Sequence, residues 1–161
     1  PKVVEQVTKA VRKVTDKPVI VKLSPNVTDI VEIAKAVEAG GGNGVSLINT
    51  LLGMAIDIHR RKPLLGNIYG GLSGPAVKPV ALRMVHQVYK GVTIPINGLG
   101  GIMSGTDAIE FMMAGAQAVQ VGTATMVDPT AISRIAREMG DYVERYNLNS
   151  ITDIIGAVHQ S

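Results

Sequence analysis

Asn97-Gly98-Leu99-Gly100-Gly101-Ile102 is a short apolar run that stops in glycine, and further on Val119-Gln120-Val121-Gly122-Thr123-Ala124 repeats the pattern. Glycine has no Cβ, so its backbone reaches positive φ and its N–H groups come close to a ligand. Two such strand ends side by side form a cup for a phosphate, closed by the start of the following helix. In a (β/α) barrel, the loops after the last two strands are the usual place for it. The two motifs therefore predict parallel strands that hold a phosphorylated cofactor or substrate at their C-terminal ends.

The rest of the chain repeats the same unit. Val3, Val4, Val7, Val11 and Val14 lie at helical spacing and predict an amphipathic helix over 2–15. Lys17-Pro18 ends it, and Val19 to Leu23 reads as a strand that stops at Ser24-Pro25-Asn26. Thr28 or Asp29 can cap a helix from Ile30 to Ala39, ended by Gly40-Gly41-Gly42. Gly44 to Thr50 is a second strand, Pro79 to Tyr89 a helix, and Thr93 to Asn97 a third strand. Ser104 or Thr106 opens a helix that ends near Gly115, and Ala118 to Val121 is the fourth strand. A helix over 129–139 stops at Gly140, and a shorter one follows near 149–157.

Residues 51–75 break the rhythm with Asp57, His59, Arg60, Arg61 and Lys62, then Gly66, Gly70, Gly71 and Gly74. A βα connection of this length points to function. An opening helix and four βα units predict a parallel sheet with right-handed crossovers. The expected fold is α/β: half of a (β/α)8 TIM barrel, one domain over 1–161. Its two unpaired sheet edges call for another segment of the natural chain or a second copy. Pro1, in place of an initiating Met, leads us to expect a piece of a longer polypeptide.

Hydrophobic residues make up 46% of the 161 and aromatics 3%, so the core is aliphatic, as buried parallel strands require. The net charge of +3 with so few aromatics argues against nucleic acid as a partner. The absence of Cys excludes disulfides, thiolate metal sites and iron–sulfur ligands from this chain. No metal site is expected. No apolar run reaches membrane-spanning length, and the N-terminus lacks a signal-peptide pattern, so a cytoplasmic protein is expected.

Four stretches carry a resemblance: Lys22-Leu23-Ser24-Pro25-Asn26, Leu47-Ile48-Asn49-Thr50, Gly70-Gly71-Leu72-Ser73-Gly74-Pro75-Ala76, and Asn97 to Ile102. In order and spacing they resemble the dihydroorotate dehydrogenase family, most closely the class 1B catalytic subunit. The resemblance spans nearly the whole chain. It implies a flavin-containing (β/α)8 barrel of which this chain is the C-terminal half, strands five to eight. It implies FMN-dependent oxidation of dihydroorotate to orotate in de novo pyrimidine biosynthesis, with a base at C5 and hydride passing from C6 to N5 of FMN. In class 1 that base is a cysteine on a loop after the fourth strand. This chain has none, so no catalytic residue is expected in it and the chain alone is expected to be inactive. The resemblance also implies a partner subunit that carries FAD and a [2Fe-2S] cluster and passes electrons to NAD⁺, in a homodimer or heterotetramer.

Lys22 interrupts an apolar strand, where an unpaired charge is costly to bury, so it either reaches water at the strand end or serves a ligand. The resemblance places it beside the flavin N1/C2 carbonyl, where a fixed charge stabilises the anionic reduced ring. Asn49 and Thr50 read by type as turn formers. By resemblance they hydrogen-bond the pyrimidine or its carboxylate, and Ile48 touches the flavin. Gly71-Leu72-Ser73-Gly74 opens a helix, with Ser73 as its cap and Pro75 in the first turn, and the resemblance sets Gly74 against FMN. Gly100, Gly101, Gly122 and Thr123 form the FMN phosphate cup by both lines of reasoning. His59 to Lys62 read as a solvated loop with no catalytic role, within an insertion that resembles the family's barrel-top protrusion. Two alternatives stay open: a sugar-phosphate isomerase or aldolase barrel, and a non-catalytic half-barrel that assembles with itself. The first explains the glycine cup but not Lys22, Asn49 and Gly74 together; the unpaired edges and the missing cysteine argue for the second.

Overall fold

Capped helices alternate with strands in the computed structural model, which describes residues 1–160. Helix α1 (Lys2–Arg12) leads to β1 (Ile20–Leu23), α2 (Ile30–Ala39) and β2 (Gly44–Leu47). An arm follows, built from β3 (Leu51–Met54), β4 (Ile56–Asp57), β5 (Lys62–Pro63) and β6 (Tyr69–Leu72). The chain returns through a 3-10 turn at Pro75–Val77 into α3 (Lys78–Tyr89), β7 (Ile96–Leu99), α4 (Gly105–Met113) and β8 (Ala118–Gln120). Short α5 (Thr123–Val127), long α6 (Ala131–Arg145) and two 3-10 turns, Ile151–Ile154 and Ala157–His159, complete it.

Strands β1, β2, β7 and β8 form one parallel sheet in that order, with β1 and β8 at its edges. This is the expected half-barrel. Alternation divides the sheet between two faces. Val21, Leu23, Val45, Leu47, Ile96 and Val119 face the helices and join Ala34, Val37, Ala81, Val85 and Phe111 in the core. Ile20, Lys22, Asn97, Leu99, Ala118 and Gln120 lie on the opposite face, which no helix covers among the described residues.

Local chemistry explains most boundaries. Asp29 caps α2 by accepting from the Val31 N–H at 2.8 Å. Ser104 and Asp107 close a capping box on α4. The third strand starts at Ile96 rather than Thr93, because the Glu38 carboxylate accepts from both Thr93 groups and from the Ile94 N–H, pinning that segment as a loop. Those bonds, led by the Thr93 hydroxyl, hold Glu38 below the ordinary carboxylate range.

Further expectations need correction. Helix α6 does not stop at Gly140 but runs on to Arg145. Gly costs about 1 kcal/mol inside a helix, and packing of Tyr142 beside Ile109 and Met112 outweighs it. The segment 149–157 forms two 3-10 turns rather than one helix, broken at Gly156 with φ 71°. Residues 51–75, read only as a long connection, hold two antiparallel pairs, β3 with β6 and β4 with β5. Finally, α1 ends at Arg12, and of its valine stripe only Val4 packs on the core. Val3, Val7 and Val11 line a groove with Ile20 along the free β1 edge.

Candidate functional site

Each strand of the sheet delivers a ligand-ready residue type at its C-terminal end. Lys22 comes from β1; Ile48, Asn49 and Thr50 follow β2; Gly100 and Gly101 follow β7; Gly122 and Thr123 follow β8. The loop after the arm adds Gly74. All nine predicted residues line one cavity of about 330 Å³. Leu72, Ser73, Gln120 and Met126 line it too.

Three of the glycines are required by their conformation: φ is 86° at Gly74, 134° at Gly100 and 78° at Gly101. Close approach adds to this. A Cβ on Gly101 would stand 2.7 Å from the Gly74 carbonyl oxygen and 3.0 Å from the Lys78 nitrogen. One on Gly100 would stand 2.7 Å from the Ala81 Cβ and 3.3 Å from the Ile48 Cγ1. The N–H groups of Gly100, Gly101 and Gly122 find no acceptor among the described residues. Unspent donors at converging strand ends fit a phosphate. Lys22 has no ion pair or hydrogen bond among the described residues and is exposed on the uncovered sheet face. A free cation, free N–H groups and a largely apolar cavity fit a phosphorylated cofactor with a planar ring, such as FMN.

Ser73 is not the helix cap expected. Gly74 holds that position without a side-chain bond, and the Ser73 hydroxyl accepts from the Thr123 hydroxyl at 3.1 Å. That bond ties the root of the arm to the loop after β8. Asn26 makes a second tie that sequence reasoning missed. Its amide donates to the Thr50 carbonyl at 3.0 Å, and its carbonyl oxygen accepts from the Leu52 N–H at 3.0 Å. Ladder bonds from the Ile48 N–H to Leu99 and from the Asn49 N–H to Leu23 fix the residues between. His59 to Lys62 lie exposed at the arm tip, where Asp57 accepts from the His59 and Arg60 N–H groups.

The cup rests on an ion-pair cluster that sequence reasoning also missed, although Ser104-x-x-Asp107 is a capping-box signal. The Lys78 ammonium lies 2.6 Å from Asp107 and 2.8 Å from Glu110. Asp107 also accepts from the Met103 and Ser104 N–H groups, at 2.9 and 3.0 Å. Burial acts to raise the Asp107 carboxyl, but the Lys78 and backbone bonds outweigh it and leave it below the ordinary range. The Asp107 bond, then Glu110, raises Lys78. A depressed carboxyl contributes stability above its unfolded value of about 4, and that contribution is lost as pH falls through the folded value. Asp107→Asn is expected to cost about 2 kcal/mol at neutral pH and to flatten the acid limb of stability. Urea unfolding at pH 7 and pH 3 measures both, and an unchanged midpoint at pH 7 contradicts the role assigned to the cluster.

Among the described residues, no helix is long and apolar enough to cross a membrane, and no three His, Cys, Asp or Glu side chains gather to hold a metal ion.

A parallel half-barrel whose strand C-termini converge on a glycine-lined cavity defines a protein of the (β/α) class. Residues 1–143 match the dihydroorotate dehydrogenase family, and the chain belongs to it. It is similar to three proteins named dihydroorotate dehydrogenase B (NAD(+)), catalytic subunit. That of Alkaliphilus oremlandii is 62% identical over 156 residues, covering 97% of this chain and 52% of the relative. That of Geobacter sp. (strain M21) is 60% identical over 158 residues, covering 98% and 52%. That of Phocaeicola vulgatus is 60% identical over 153 residues, covering 95% and 50%. The chain spans about half the length of the curated relatives it matches.

Proposed function

We propose that residues 1–161 are the C-terminal half of the catalytic barrel of an FMN-dependent dihydroorotate dehydrogenase. That enzyme oxidises dihydroorotate to orotate in de novo pyrimidine biosynthesis. The observation that carries this reading is the convergence of Lys22, Asn49, Thr50 and the glycine cup on one cavity. The names of the relatives, with NAD(+) and a catalytic subunit in them, support an electron path to NAD⁺ through another subunit.

In this reading the N–H groups around Gly100, Gly101, Gly122 and Thr123 hold the phosphate. Gly74 and Ile48 back the ring, and Lys22 sets its ammonium against the ring's N1/C2 edge. Asn49 and Thr50 hydrogen-bond the pyrimidine and its carboxylate, holding it for transfer. Bound FMN supplies the hydride acceptor. Proton abstraction falls to a group outside this chain, which has no Cys to serve as the family's base. The same lack fits the FAD and [2Fe-2S] cluster being carried by a partner subunit, in a homodimer or heterotetramer of the cytoplasm.

The test is a fluorescence titration of the purified protein with FMN, read beside its visible absorbance. Saturable quenching at one FMN per chain, with flavin bands and no dehydrogenase activity from the chain alone, is expected. Binding of a sugar phosphate without FMN uptake would move the chain to the sugar-phosphate reading.

A further inference from the structure

One row of the inner sheet face departs from the apolar pattern usual inside a parallel barrel. The register aligns Lys22 with Ser46, Ser46 with Asn97, and Asn97 with Ala118. Val21, Leu23, Val45, Leu47 and Ile96 turn to the helices, so alternation puts Lys22, Ser46 and Asn97 together on the other side. Neighbouring strands lie about 4.8 Å apart. The row thus sets a cation, a hydroxyl and a carboxamide side by side, running from the strand that bears Lys22 to the strand that bears the cup.

None of the three side chains makes a hydrogen bond or ion pair among the described residues, although Ser46 is only 4% exposed. Elsewhere the chain employs such groups. Asn43 accepts from the Val19 N–H, Gln117 from the Ile96 N–H, and Glu38 from Thr93. Asn26 likewise bonds to backbone, at the Thr50 carbonyl and the Leu52 N–H. Asn97 does not: it stands half-buried on the open sheet face, with its carboxamide left to bond across the strands. The available partner is Lys22. A lysine stem of about 6 Å and an asparagine arm of about 3.5 Å together span the two inter-strand gaps, by ordinary bond lengths. A carboxamide is also the right acceptor for a charge that must act elsewhere, because it orients the ammonium without neutralising it, as a carboxylate would.

We infer that Asn97 is a positioning residue for Lys22: when the flavin is bound, with Ser46 between them, its carboxamide oxygen accepts from the Lys22 ammonium and holds that charge against the ring. A lysine ends in a flexible stem with three rotatable donors, and the row turns it into a fixed charge. The inference rests on the FMN reading above.

A double-mutant cycle on the FMN-loaded protein tests it, using Lys22→Ala, Asn97→Leu and the pair. Three quantities are read: the FMN dissociation constant, the midpoint potential of bound FMN, and thermal unfolding without FMN. Lys22→Ala is expected to weaken FMN about tenfold, the scale of one charge-assisted hydrogen bond, and to lower the potential, since the anionic reduced ring loses its counter-charge. Asn97→Leu is expected to move both quantities the same way by a smaller amount, and to add nothing in the Lys22→Ala background. Its unfolding temperature should hold or rise, because an apolar side chain replaces an unbonded amide. Asn97→Thr, which keeps an acceptor, should recover part of the potential. Additive effects, or a potential that Asn97→Leu leaves unmoved, overturn the inference while the FMN reading stands. Failure of Asn97→Leu to fold assigns the residue a structural role and also overturns it. A wild-type protein that takes up no FMN overturns both.

Discussion

Gly101→Val is expected to weaken FMN binding by a hundredfold or more, equivalent to about 2.7 kcal/mol. Two effects combine. Gly101 has φ 78°, a region that a β-branched residue enters only under strain, at a cost of about 1–3 kcal/mol. The new Cβ would also stand 2.7 Å from the Gly74 carbonyl oxygen. Gly74 cannot retreat, because its own φ of 86° starts the turn into α3 and Val77 donates to its carbonyl at 3.1 Å. The loop after β7 therefore opens, and the free N–H groups of Gly100 and Gly101 leave the cup together. An FMN titration measures the loss, and far-UV circular dichroism checks that the helices remain. Binding within threefold of wild type would mean that the phosphate is held elsewhere.

Phe111→Ala is expected to destabilise the protein by about 3–5 kcal/mol, a large share of the roughly 5–15 kcal/mol that holds a domain together. Phe111 is the one phenylalanine in the chain and is fully buried. Its ring fills the space where Gly98 has no side chain: a Cβ there would meet the Phe111 Cδ1 at 2.6 Å. Helix α4 thus rests through this ring on the strand that ends in Gly100 and Gly101. Urea unfolding should show the drop in midpoint, and FMN affinity should fall with it as the end of β7 loosens. A loss under about 1.5 kcal/mol would mean that the layer collapses to fill the hole.

The parts of the fold that were legible in the sequence are those set by local chemistry. Valine-rich strands, the glycine stops and the Asp29 and Ser104 caps need only neighbours in the chain. The cup was legible for the same reason, since each half is a strand end. Lys22, Asn49 and Gly74 were reached only through resemblance, because by residue type a strand lysine and a turn asparagine have other uses. What stayed hidden depends on partners far apart in sequence. The Ser73–Thr123 bond joins residues 50 positions apart, and the tie from Asn26 to Thr50 joins residues 24 apart. The strands of the arm were not legible because Tyr69-Gly70-Gly71-Leu72 lacks the alternation of a half-buried strand. Gly140 misled because a helix stop signal yields when Tyr142, two residues later, finds a core.

The division of the sheet into a helix-covered face and a bare one has a consequence for how such barrels can be assembled and taken apart. Each strand brings its own cover: it packs on a helix next to it in the sequence, and Leu23, Leu47, Ile96 and Phe111 are buried by residues within this chain. Severing a barrel between its two halves leaves this outer layer intact on each side. The loss falls on the bore and on two rows of backbone hydrogen bonds. Such an architecture is modular at its midline: each wall carries its own strands, covering helices and strand ends.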